Sequence, residues 1–581
     1  MPFMKVDEKT AAKGRMILKG IPSSAGIAMG KASVLTPENY ISQSEDVPQE
    51  QIPRELTRYK EALDTLQKEF RTILNKIGKK SANISAIIET NIVMLNDPVL
   101  NDSIKDKINS GLTVENAIIR EFDSQKQFLK NSRDELLQER AIELDHLKRH
   151  LLGILRNQCI FYGMAGNGII VAQSLTPSDI VNFREAGVLG IITELGGISA
   201  HASILARSFE LPEVIGVNNA TGMIEDGEFI IVDGFKGSVI RNPDETTIAE
   251  YRKRILEVEE RKKSLGEIAD LPAKTVDGRK ISLMANVESL EDVRSSVMVK
   301  SDGIGLVRSE SMIMGLGYFP ELDEQYNWYS DIADSSYPEI VTIRTFDIGS
   351  DKYAEGLPHR ESNPALGYRG IRFLLSRKDI FLTQLKAILM ASKNKNVRLL
   401  LPMITESAEI DDSLDMIKNA KSELRDKKIS FDEDIPVGIM IETPAAALMA
   451  DSMAKKCDFL SIGTNDLTQY VLAADRMNEL VSGVFNSFHP AVLRLIKMSI
   501  DAAKKNKIPV GTCGEFAGHS ASSSLLLGMG ITEISVAPSI LLETKNRIRS
   551  IKYKDARKLA QDILKLTTLS EVLSRLDRHR D

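Results

Sequence analysis

A chain of 581 residues is too long for a single core and predicts two to four domains. Its 43% apolar and 27% charged residues suit a folded protein in water, and a net charge of -6 argues against a nucleic-acid binder driven by bulk charge. The 3 cysteines, Cys159, Cys457 and Cys513, are odd in number and far apart, which argues against a disulfide framework and predicts a reducing compartment.

The first segment, 1–16, is polar and Lys-rich, lacks the apolar stretch of a secretory leader, and reads as a loose N-terminal extension. No apolar run reaches about 18 residues, so the expectation is a cytoplasmic protein with no membrane insertion. Ile17 to Leu35 is Gly-rich and β-leaning and reads as a strand, a turn and a second strand. From about Gln49 to Asn157 the apolar residues fall at helical spacing, as in Leu63, Leu66, Phe70, Ile73 and Ile77, or Leu136, Leu137, Leu144, Leu147 and Leu151. Asp97-Pro98 and Ser110-Gly111 punctuate this stretch into about four helices. Strand signals return at Gly168–Ala172, Val188–Ile192 and Phe229–Gly234. The simplest arrangement is one α/β domain, 17–48 with 158–240, into which the helical segment 49–157 is inserted.

Between these strands runs Leu195-Gly196-Gly197-Ile198-Ser199-Ala200-His201, followed by the helical pattern Ala202 to Arg207. The two glycines permit a tight turn or a close approach to a ligand. Ser199 stands in an N-cap-like place, and the N–H groups of a helix start suit a phosphoryl group. His201 is one of only 7 histidines, and an imidazole with a fixed tautomer can act as a nucleophile. A Gly turn into a helix with an incidental histidine is the alternative for these residues alone.

Asp244 to about Glu267 is charged and helical and would span about 35 Å. It reads equally as a connecting helix or as an ordinary surface helix, within a linker assigned to 241–270. The remainder, 271–581, carries eight short apolar runs separated by helical stretches: Ile281–Val287, Gly303–Val307, Ile340–Phe346, Val397–Met403, Val437–Ile441, Phe459–Ile462, Pro509–Cys513 and Glu533–Val536. Eight β-then-α repeats predict a TIM barrel, with a doubly wound open sheet as the rival architecture. Polar residues gather at the ends of these runs, where a barrel holds its active site: Arg308 and Glu310, Arg344 and Asp347, Glu442, Asn465 and Asp466, and Cys513 to Glu515. Arg308, Arg344 and Arg476 suit a phosphate or carboxylate. Glu442 and Asp466 form a plausible pair for one hard divalent cation such as Mg²⁺. Each of these residues alone reads as a rim ion pair; it is their common placement that points to a site.

The motifs together resemble Enzyme I of the phosphoenolpyruvate-dependent sugar phosphotransferase system, over about 17–575. Gly196 to His201 with Ala206-Arg207 resembles its phosphohistidine signature. Asp302 to Glu310, Arg344 to Gly349, Asn363 to Arg369, Glu442 to Ala446, Ser461 to Tyr470 with Asp475-Arg476, and Gly511 to Glu515 resemble its barrel motifs. The resemblance implies an α/β multidomain protein: a swivelling phosphohistidine domain with an inserted helical subdomain, then a C-terminal (β/α)8 barrel. It implies that His201 takes the phosphoryl group of phosphoenolpyruvate, releasing pyruvate, and passes it to a histidine of the carrier HPr docked on 49–157. Arg308, Arg344, Arg369, Asn465, Asp466 and Arg476 would bind substrate, Glu442 and Asp466 would hold Mg²⁺, and Cys513 would donate the proton to the leaving enolate. A homodimer through the barrel is also implied. The chain departs from the family pattern at Ile198, Ala200, Ser309, Ser350 and Asn91, none of which removes a catalytic group. Two neighbouring readings are a nitrogen-type regulatory Enzyme I and a non-catalytic phosphoenolpyruvate sensor.

Overall fold

A computed structural model describes residues 16–35, 47–77, 91–92, 94–130, 144, 147–148, 150–155, 168–175, 177–195, 201–316, 318–349, 361, 363–476, 481 and 483–578. The chain divides into two compact units, Met1–Glu260 and Arg261–Asp581. The boundary falls inside the helix Glu245–Glu267, the element read from sequence as a connecting or a surface helix.

The first unit is built on an eight-stranded sheet. In chain order its strands are β1 (Met16–Lys19), β2 (Ile21–Ser24), β3 (Ile27–Leu35), β4 (Gly168–Ala172), β5 (Gly190–Thr193), β6 (Glu213–Ile215), β7 (Phe229–Asp233) and β8 (Ser238–Arg241). They lie in the order β1-β8-β7-β3-β4-β5-β6-β2. The opening Gly-rich stretch thus forms three short strands, where two were expected. Gly20 makes the extra break, because a Cβ there would come within 2.5 Å of the Ile215 carbonyl oxygen. The helices Ile52–Ile77, Pro98–Asn109 and Val114–Lys130 lie in the chain between β3 and β4. Asp97 caps the second of them by accepting the Val99 N–H at 2.8 Å, with Pro98 in the first turn where its missing N–H is harmless. Leu66, Phe70, Ile104, Ile118, Leu144, Leu147 and Leu151 meet in one buried cluster, as the helical spacing requires. Leu136, Leu137 and Cys159 lie outside the described residues.

The second unit is a closed barrel of eight parallel strands, which removes the open-sheet alternative. They are β9 (Ser282–Val287), β10 (Gly303–Arg308), β11 (Ile340–Arg344), β12 (Val397–Leu401), β13 (Val437–Ile441), β14 (Phe459–Ile462), β15 (Val510–Thr512) and β16 (Glu533–Val536). Strands buried on both faces read as short, mainly apolar runs, which is why all eight were visible in the sequence despite polar residues such as Thr342, Arg398 and Ser461 within them. The main core lies between the strands and their outer helices. A smaller cluster of Leu306, Leu400, Met440, Phe459 and Cys513 lies apart from it. Below them, Arg398 on β12 pairs with Glu533 on β16 at 3.0 Å and stacks 4.5 Å over the Phe459 ring. At Gly305 a Cβ would approach Ser535 Oγ to 2.5 Å, so β10 can bulge there without a clash.

Candidate active site

The polar residues expected at the strand ends converge. Arg344, the last residue of β11, is buried and gives Nη2 to Glu310 Oε1 at 3.0 Å. Its Nη1 lies 3.4 Å from Asp347 Oδ2 and 4.0 Å from Glu442 Oε2. Arg369 holds Asp347 with two parallel bonds, at 3.1 and 2.7 Å, and stands 3.6 Å from Asp466 Oδ1. It also donates to Tyr470 Oη at 3.3 Å. Such a fork-on-carboxylate arrangement fixes both partners in orientation.

Glu442 follows β13 and is 1% exposed, with Oε1 accepting the Met403 N–H at 2.6 Å. Asp347, Glu442 and Asp466 each offer an oxygen, and these oxygens lie within 4.8 Å of one another. Burial first, then the Asp347 and Asp466 charges, push the Glu442 carboxyl well above its ordinary pKa. Burial would lower the pKa of Arg344, but Glu310, Asp347, Glu442 and Asp466 outweigh it and raise it. Arg369 is raised in the same way by Asp347 and Asp466. If all are ionised, the four carboxylates Glu310, Asp347, Glu442 and Asp466 exceed the two guanidiniums by two charges. An all-oxygen donor set with an excess of two negative charges fits one hard divalent cation. Arg344 Nε is buried with no acceptor among the described residues, so the cluster also has a donor to offer an incoming anion.

Of the other expected groups, Arg308, Asn465 and Cys513 stand at neighbouring strand ends, and Arg476 lies further along the chain. Arg308 ends β10 in register with Arg344 on β11, is half-exposed, and pairs with Glu288. Asn465, in the first turn of the helix Thr464–Leu472, exchanges hydrogen bonds with Glu515 at 3.4 and 3.2 Å. Arg476 is exposed beyond that helix, and its backbone N–H reaches Gln469 Oε1 at 3.5 Å; no described side-chain contact ties it to the cluster. Cys513 follows β15 and is buried, and Asn286 Nδ2 donates to its carbonyl at 3.2 Å. Two residues expected at the strand ends, but given no role there, join the assigned set. Asp347 belongs with Glu442 and Asp466, and Glu310 anchors Arg344. The Arg344-Thr345-Phe346-Asp347 run was the available signal, since it puts Asp347 at the same strand end.

In the first unit, His201 opens the helix His201–Ser208 between β5 and β6. The Gly-Gly-Ile-Ser-Ala turn at 196–200 lies outside the described residues. Behind this helix, Glu213 on β6 is 1% exposed, and its Oε2 accepts the Ser23 Oγ–H at 2.6 Å. Burial raises the Glu213 pKa, opposed by hydrogen bonds from Ser23 and Ser203 and by the Arg207 charge.

Comparison with known proteins accounts for nearly the whole chain. Residues 262–553 match the family described as PEP-utilising enzyme, PEP-binding domain. Residues 19–140 match the PEP-utilising enzyme N-terminal family, and 164–237 its mobile domain. The phosphoenolpyruvate-protein phosphotransferase of Haemophilus influenzae is 36% identical over 568 residues, 96% of this chain and 98% of that one. Its namesake from Bacillus subtilis is 36% identical over 571 residues, 96% and 98% of the two chains. That of Buchnera aphidicola is 35% identical over 573 residues, 97% of this chain and 100% of its own.

Proposed function

Because this chain belongs to the phosphoenolpyruvate-protein phosphotransferase family, we propose that it moves the phosphoryl group of phosphoenolpyruvate onto its own His201 and from there to a histidine of HPr. The observation that carries the reading is the buried cluster of Arg344, Arg369 and four carboxylates at the strand ends of the barrel, with Arg344 Nε lacking an acceptor among the described residues.

The chemistry follows from those groups. Arg308, Arg344 and Arg476 neutralise the phosphate, with Arg369 as a further group for it, and Asn465 takes the carboxylate end. Asp347, Glu442 and Asp466 would hold Mg²⁺, which supplies charge neutralisation at substrate oxygens when bound. Attack on phosphorus by the His201 imidazole breaks the bond to the enol oxygen, and catalysis is mainly positioning and charge stabilisation. The departing enolate takes a proton at carbon from Cys513 and leaves as pyruvate.

His201 has to serve two partners, so the parts are assigned as a mobile α/β domain (17–48 and 158–240), an HPr-docking segment (49–157), a linker (241–270) and a substrate barrel (271–581), after an extension (1–16). A cytoplasmic homodimer joined through the barrel completes the proposal; Leu448 and Met449 are exposed on that unit, and sedimentation of the purified protein tests it.

The deciding experiment uses radiolabelled phosphoenolpyruvate with Mg²⁺, followed by an HPr chase. Acid-labile, base-stable label on the wild type, absent from His201→Ala and lost to HPr, is the expected result. Label that HPr cannot remove overturns the carrier. Substrate binding without any label means a sensor and overturns the enzyme.

A further inference from the structure

Ser461 on β14 donates from Oγ to Cys513 Sγ at 3.4 Å, and both residues are buried. The rest of Cys513 is already fixed. Its N–H gives to the Ile462 carbonyl at 3.2 Å, and Asn286, itself held by Ser535 Oγ at 2.6 Å, donates to its carbonyl. The thiol donates towards the Ile462 carbonyl oxygen, which lies 3.8 Å from Sγ. Leu306, Leu400, Met440 and Phe459 share the apolar cluster with the sulfur. A hydroxyl beside such a cluster costs stability unless it finds a partner, and a neutral thiol sulfur is a weak acceptor. A thiolate is a strong one. The Ser461 hydroxyl is therefore better satisfied after the proton has left Cys513 than before, which is the condition for accelerating a step.

We propose that Ser461 is a positioning residue for proton delivery: its hydroxyl aims the Cys513 sulfur and stabilises the thiolate that remains. The proposal rests on Cys513 being the acid. In the step, the Cys513 S–H bond breaks and a C–H bond forms at the methylene carbon of the enolate. The S–H electron pair stays on sulfur, the carbon–carbon π pair takes the proton, and pyruvate results. Solvent then returns a proton to the thiolate, so no oxidant or reductant enters. The charged groups facing the sulfur are Arg344 and Arg308, which favour the thiolate, and Glu442, which opposes it; burial dominates and raises the thiol pKa.

The test compares Ser461→Ala, Ser461→Thr and Cys513→Ala. The thiol is titrated by its ultraviolet thiolate absorbance, taken as the difference from Cys513→Ala, and kcat and KM for phosphoenolpyruvate are followed against pH. Ser461→Ala is expected to raise the thiol pKa by about one unit and to lower kcat about tenfold, with KM unchanged. The basic limb of the kcat profile moves up by the same amount, because the thiol stays protonated to higher pH. Ser461→Thr, which keeps the hydroxyl, restores both. An unmoved thiol titration in Ser461→Ala overturns the proposal, as does an equal loss of kcat in the Ala and Thr variants. Undiminished pyruvate formation by Cys513→Ala overturns it through its premise, and the thiol titration then shows that Cys513 rather than Ser461 was misassigned.

Discussion

Replacing Asp347 by Asn separates what this residue does for the fold from what it does for the site. The change keeps the shape and removes one charge from a cluster in which three carboxylate oxygens lie within 4.8 Å. Two consequences oppose each other. Like charges at that separation repel by about 3.5 kcal/mol per pair at an effective dielectric of about 20. With the Glu442 carboxyl pushed up to about 8, and so protonated at neutral pH in the cation-free site, Asp347→Asn relieves one such repulsion, that against Asp466. The same substitution takes the carboxylate away from Arg369, which holds it at 3.1 and 2.7 Å, and breaking a buried pair costs about 3–5 kcal/mol. The two nearly cancel, so the melting transition of the barrel should move by only a few degrees. Cation binding has no such compensation, because a ligand is lost outright. Affinity for Mg²⁺ should fall about 100-fold and kcat at limiting Mg²⁺ with it. Calorimetric titration of the folded variant with Mg²⁺, beside a thermal scan, measures both. Wild-type Mg²⁺ affinity in Asp347→Asn would refute the assignment of the three carboxylates to one ion. An unfolded barrel would refute the cancellation.

Cys513→Ala should cut the rate of pyruvate formation at least about 100-fold while shifting phosphoenolpyruvate affinity by less than about threefold, read from stopped-flow product release and equilibrium binding. Phosphoenolpyruvate should bind about 100-fold more weakly when divalent cations are chelated, because Arg344 and Arg369 are already engaged by carboxylates and the bare site is net negative. Equal affinity with and without chelator contradicts that account. Glu213 tests the His201 side. Its pKa is raised in the folded state, so its contribution to stability is full below the unfolded value and is lost as pH rises through the folded value. Glu213→Gln should therefore melt higher than wild type at about pH 8 and level with it at about pH 4.

Much of the fold was legible because double-sided burial writes itself into sequence. Ile340 to Arg344 and Val397 to Leu401 are mostly apolar, broken only by Thr342, Arg344 and Arg398, because nearly every residue of β11 and β12 is buried. The three short strands at the start were not legible as three. Their division depends on Gly20 lying against the Ile215 carbonyl, a contact between segments nearly two hundred residues apart that no local pattern records. The bulge in β10 was equally hidden, since it depends on Gly305 meeting Ser535 of the last strand.

The site divides along the same line. Arg344, Glu442 and Asp466 could be read because a barrel collects the residues that end its strands, whatever their distance in sequence, whereas Arg369, far from any strand end, came only from the family resemblance. Asp347 stands three residues after Arg344 and reads as its ion-pair partner, which it is at 3.4 Å. That it also faces Glu442 and Asp466 depends on β11, β13 and β14 curving to a common mouth. Ser461 looks like one more residue of a strand until Cys513 is found beside it. What the geometry adds to the list of residues is their charge balance. The guanidiniums that suit an anionic substrate are held by an excess of carboxylate, so neither partner of the site is complete alone. A substrate phosphate must compete with Glu310 and Asp347 for Arg344, and only added positive charge makes that competition favourable. The cation requirement that the proposed function predicts thus rests on the ion pairs, not only on the presence of carboxylates.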